Sequence, residues 1–105
     1  MSGEENIKLI ANNYGYEAQS RQCIEELSEL IQAICKDRRV RTAASGNSEI
    51  IKPINKLSDT GKNIVEEIAD VEIMLEQLKL LMNCENEVKE VKTFKLDRQL
   101  KRIGN

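Results

Sequence analysis

The sequence predicts an all-α fold: a small bundle of about four helices, with a long connector between the second and the third. Three observations carry that expectation. Apolar residues recur at three- and four-residue steps through much of the chain, most clearly at Ile64, Ile68, Val71, Leu75, Leu78 and Met82, which trace one face of a helix. A single proline, Pro53, leaves little to interrupt long helices. Hydrophobic residues make up 40% and charged residues 32% of the 105, a balance that suits amphipathic helices better than a sheet buried on both sides. The length fits one domain, residues 1–105, with a single core.

The elements follow in chain order. A short first helix is expected over about residues 5–13, carrying Ile7, Leu9 and Ile10 and stopping near Tyr14-Gly15-Tyr16. A second is expected over about residues 17–36, where Ile24, Leu27, Leu30, Ile31 and Ile34 form one apolar stripe. Residues 37–61 hold Ser45-Gly46-Asn47-Ser48, Pro53 and Ser58-Asp59-Thr60-Gly61. This is turn chemistry without a sustained period, so the segment reads as a connector with room for one short turn at residues 49–54. The third helix starts near Lys62, with Asn63 and Glu66 spaced as a capping box or with Asp59 or Thr60 as the cap, and ends near Asn83. A fourth, over about residues 86–103, carries Val88, Val91, Leu96, Leu100 and Ile103. On the third helix Ile73 and Leu80 lie opposite the main stripe. A helix apolar on two sides needs burial on two sides, so the chain is expected to oligomerise through helix faces.

Charge and composition narrow the function classes. The net charge of −2 gives no overall electrostatic reason to bind nucleic acid, and aromatics at 3% argue against a base-stacking platform. No apolar stretch approaches the roughly 20 residues needed to cross a bilayer, and MSGEENIKLI lacks the pattern of a signal peptide. Cys23, Cys35 and Cys84 are odd in number and form no CxxC. A reduced, cytoplasmic setting without a disulfide framework is the expectation.

The acidic residues are placed unusually. Between Arg21 and Lys36 lie Glu25, Glu26 and Glu29 with no basic residue among them. Between Lys62 and Lys79 lie Glu66, Glu67, Asp70, Glu72 and Glu76, again with none. Like charges one turn apart cost about 0.2–0.5 kcal/mol per pair on an isolated helix, so something should compensate. Glu67 falls about 60° from the centre of its apolar stripe, toward the groove between helices, where desolvation disfavours an unpaired charge. Glu26 flanks its own stripe with Glu29 a step further out. If the second and third helices pack antiparallel, Glu26, Glu29, Glu67 and Asp70 converge at one edge of the bundle. With no histidine in the chain, such a site is all oxygen and favours Mg²⁺ or Mn²⁺ over zinc. The alternative is a pair of solvated acidic faces.

These residues also resemble a family pattern. Glu25-Glu26-Leu27-Ser28-Glu29-Leu30, followed by Glu66-Glu67-Ile68-Ala69-Asp70-Val71, looks like the ExxE…ExxD signature of MazG-like nucleotide pyrophosphohydrolases, members of the all-α NTP pyrophosphatase superfamily. The resemblance covers about residues 16–103. It implies that Glu26, Glu29, Glu67 and Asp70 are the catalytic ligands of Mg²⁺, with Glu25 and Glu66 behind them to support the ligands or orient water. It implies hydrolysis of a nucleoside triphosphate, standard, deoxy or non-canonical, to the monophosphate and pyrophosphate, and a homodimer or homotetramer. Lys95, Arg98 and Arg102, at steps of three and four on the last helix, resemble the family's phosphate contacts; otherwise they form a solvated basic face. The competing expectation is a non-catalytic helical module that dimerises or binds nucleotide.

Overall fold

The computed structural model describes residues 2–45 and 58–104. Among these the chain is all-α, with three helices and no strand: α1 (Gly3–Ser45), α2 (Asp59–Met82) and α3 (Glu85–Arg102). None of them is long and apolar enough to cross a membrane. The first two expected helices are one element, α1, and the break expected at Tyr14-Gly15-Tyr16 is a kink inside it. Gly15 sits at φ 84° and ψ 173°, a region essentially restricted to glycine. The helical ladder resumes on either side, which is why three helices are found and not four.

The connector is shorter than expected at both ends. Residues 37–45 continue α1, because Asp37 is paired with Arg41 one turn on at 2.6 Å and is itself buried. At the other end Ser58 caps α2, its hydroxyl accepting from the Gly61 amide at 3.2 Å. The serine cap displaces the alternatives at Asp59, Thr60 and Asn63, and α2 begins at Asp59. The turn residues Gly46-Asn47-Ser48, Pro53 and the short turn expected at residues 49–54 lie outside the described residues. α2 ends as expected at Asn83, whose left-handed conformation (φ 53°, ψ 46°) closes a Schellman-type turn. There the Asn83 amide donates to Leu80 O and the Cys84 amide to Lys79 O.

α1 and α2 pack antiparallel along a seam, whereas α3 touches α2 only slightly and has no Cα within 8 Å of α1. The seam on α1 runs through Ala11, Gln19, Cys23, Ala33 and Asp37, all buried, and includes half-buried Glu26 and Leu30. On α2 it runs through Gly61, Val71, Met74 and Gln77, with half-buried Ile64 and Glu67 between them. From Gln19 onward on α1, and throughout on α2, these positions step by three and four, as one helix face must. The face is not the isoleucine stripe. Ile24, Ile31 and Ile34 are exposed, Ile24 at 66%, because the contacting face lies one residue, about 100°, around the helix. Small side chains at Ala11, Cys23, Ala33 and Gly61 let the two backbones approach closely. The seam therefore runs through the carboxylates instead of beside them.

Candidate metal centre

Glu26 projects from the middle of α1, and Glu67 and Asp70 project from facing turns of α2. One carboxylate oxygen from each lies within 4.8 Å of the other two. Divalent cations hold oxygen ligands at about 2.0–2.6 Å, so that spacing is one a single ion can bridge with little adjustment. Glu26 and Glu67 are half-buried and Asp70 is exposed, which leaves one side open to solvent and to a ligand.

The hydrogen bonding is incomplete. Gln22, one turn before Glu26, donates from Nε2 to Glu26 Oε1 at 2.9 Å. Glu26 Oε2 and Glu67 Oε2 are buried and have no hydrogen-bond partner among the described residues. A buried carboxylate oxygen without a donor costs on the order of 1–3 kcal/mol or more, and here two belong to one cluster of carboxylates. Electrostatics tell the same story. The Gln22 amide, the largest single influence on Glu26, favours its charged form. Burial and the neighbouring carboxylates of Glu29 and Asp70 together outweigh it, and the Glu26 carboxyl is raised above its usual range. Burial, reinforced by the Glu26 charge, likewise raises the Cys23 thiol one turn away, so that cysteine is an inert seam residue. A cation among these oxygens would supply what every one of them lacks. Orphaned oxygens, a hard donor set and an open side all fit a divalent ion such as Mg²⁺ or Mn²⁺.

Of the residues singled out in the sequence, Glu26, Glu67 and Asp70 are brought together. Glu29 is exposed at the edge, close enough to raise Glu26 but outside the group of three. Glu25 and Glu66 are exposed beside the site and are not members of the group. Lys95, Arg98 and Arg102 are exposed on α3, where the Arg98 guanidinium rests over the Phe94 ring at 5.7 Å. Within one chain, no Cα of α3 lies within 8 Å of one in α1 among the described residues.

Two features went unread in the sequence. Gln22 supports Glu26 from the preceding turn, and its only signal is the i, i+4 spacing that lets a glutamine meet a carboxylate. Buried polar ties also close the seam at both ends. At one, Gln19 Nε2 donates to Gln77 Oε1 at 2.7 Å. At the other, Thr60 Oγ1 donates to Asp37 Oδ1 at 2.7 Å, within a set that includes Ser58 and Arg41. Comparison with family models, curated proteins and solved structures finds no match for this chain.

Proposed function

We propose that this chain is a Mg²⁺-dependent nucleoside triphosphate pyrophosphohydrolase whose metal ligands are Glu26, Glu67 and Asp70, with Glu29 at the edge of the site. One observation supports the reading: two carboxylates occupy seam positions on facing helices, with buried oxygens that no group among the described residues satisfies. An ordinary solvated acidic face does not place its charges in a helix–helix seam. When bound, the ion would neutralise phosphate oxygens and lower the pKa of a coordinated water. In the reaction, water adds to the α-phosphorus and the bond to the oxygen bridging the α and β phosphates breaks, releasing pyrophosphate. Glu29 is exposed beside Glu26 and placed to take the proton of that water, since the chain has no histidine to do so. Gln22 holds Glu26 in position from the turn before.

The chain works as a homodimer or homotetramer. Ile24, Ile31, Ile34 and Ile73 are exposed, and α3 buries none of its residues although it carries Val91, Phe94, Leu96 and Leu100. Apolar surface distributed over three helices is more than a monomer of this size leaves to water without a partner. Such a partner also offers Lys95, Arg98 and Arg102 a route to phosphate that one chain does not provide. The same exposed faces favour a second reading, a non-catalytic dimerisation or nucleotide-binding module.

Pyrophosphate release over a panel of ribo-, deoxy- and modified nucleoside triphosphates separates the two. The enzyme reading predicts release with Mg²⁺, none with EDTA, the monophosphate as co-product, and a loss of at least about 100-fold in Glu67→Gln. A folded protein silent across the panel with Mg²⁺ present supports the binding module.

A further inference from the structure

The Gln19–Gln77 pair is the most deeply buried polar contact in the seam. Gln77 is 1% exposed and Gln19 8%. Beyond the 2.7 Å bond between them, the Gln77 amide nitrogen meets the Met74 sulfur at 3.6 Å. Two buried amides sharing one strong bond add little net stability, and two apolar side chains of similar volume would serve stability as well or better. The pair's effect lies in its position.

Seven residues along α1 from Gln19 stands Glu26, and seven residues back along α2 from Gln77 stands Asp70. On antiparallel helices these steps of two turns cancel. Fixing Gln19 against Gln77 therefore sets Glu26 against Asp70, with Glu67 one turn further. The rest of the seam between them is less selective. Cys23, Leu30, Val71 and Met74 are apolar, and their contacts are non-directional, so they do not by themselves oppose a shift of one turn, about 5.4 Å. A shifted register would leave both amides buried against apolar neighbours without a partner, a cost that apolar residues do not incur. A lone buried polar contact fixes register in helix pairs for this reason. The Asp37–Thr60 tie acts in the same sense beyond the other side of the carboxylates.

We propose that Gln19 and Gln77 are positioning residues whose buried hydrogen bond fixes the antiparallel register in which Glu26 meets Glu67 and Asp70. By doing so they set the affinity of the divalent-cation site, an inference that rests on the metal reading given above.

The test is a double-mutant cycle of Gln19→Leu, Gln77→Leu and the double variant in the full chain, with three readouts. They are the thermal midpoint, Mn²⁺ affinity by electron paramagnetic resonance, and the distance between nitroxide labels at exposed Ser28 and Glu72 with the native cysteines replaced. Each single variant orphans an amide and loses stability. The double variant recovers the starting stability, yet binds Mn²⁺ at least tenfold more weakly and shows a broadened or second label distance. If Mn²⁺ affinity follows stability through the cycle, or the double variant keeps a single unchanged distance, the proposal is overturned. If the unsubstituted chain binds no Mn²⁺, the metal reading fails, and the label distance alone decides whether the pair sets register.

Discussion

The seam between α1 and α2 buries polar groups at three levels, and the middle level differs from the two ends. At the ends donors meet acceptors: Gln19 with Gln77, and Asp37 with Thr60 and Arg41. In the middle three acceptors meet one another, and Glu26 Oε2 and Glu67 Oε2 have no donor among the described residues. All three levels lie on the same faces of the same helices, so secondary structure and burial do not separate them. Charge balance does. The ends pair donor with acceptor, and the middle carries an excess of acceptors. On the metal reading proposed above, a cation would make up that difference.

Substitutions at the ends and in the middle should therefore act oppositely on the metal-free protein. The largest effect is expected at an end. Asp37→Ala leaves Arg41 and Thr60 without their shared acceptor, and its loss of stability should be about 2–3 kcal/mol by urea denaturation, below the figure for a fully buried pair because Arg41 is partly exposed. A smaller effect of opposite sign is expected in the middle. In EDTA, Glu67→Gln removes one of the facing like charges and should raise stability by at least the roughly 0.2–0.5 kcal/mol that such a repulsion costs on a helix surface. A Glu67→Gln variant less stable than the original in EDTA would show that the middle level is already satisfied.

The smallest effect is a pH dependence. The Glu26 carboxyl is raised in the folded chain, so the native state holds that proton more tightly than the unfolded one. Its stabilising contribution is present in full below the ordinary carboxylate pKa and is lost as pH rises through the raised value. Urea midpoints in EDTA between about pH 4 and pH 7 should carry a falling component with rising pH, and Glu26→Gln should remove it. Saturating Mg²⁺ should reverse that component, because a carboxylate ligand must be deprotonated to bind.

The helices themselves were legible in the sequence. Apolar periodicity marked them, Gly15 marked the kink and Asn83 the end of α2. The carboxylates were legible too, because no basic residue lies between Arg21 and Lys36 or between Lys62 and Lys79, although Lys79 itself pairs with Glu76 at the end of the second window. The packing face was not. Ile24, Ile31 and Ile34 outweigh Cys23 and Ala33 in any hydrophobic count, yet the smaller residues meet α2. Periodicity identifies an apolar face without saying whether it is covered by the same chain or by another. Asp37 falls in the expected connector because residues 37–61 show turn chemistry and no sustained apolar period. What keeps it helical is a tie to Thr60, across the segment that separates them in sequence. Glu29 matched the ExxE spacing but stands at the edge of the site, a difference of helical angle that spacing alone does not decide between neighbouring turns.

The central claim is that a divalent cation completes the middle of the seam, and thermal unfolding under titration tests it most directly. Midpoints of the original chain and of Glu26→Gln/Glu67→Gln would be compared in Mg²⁺ and in NaCl of matched ionic strength. The account predicts that Mg²⁺ raises the midpoint of the original chain, approaching the gain of about 2.7 kcal/mol expected at 100 times the dissociation constant, and leaves the double variant unmoved. Equal responses of both proteins to Mg²⁺, or of the original chain to Mg²⁺ and NaCl, would contradict it.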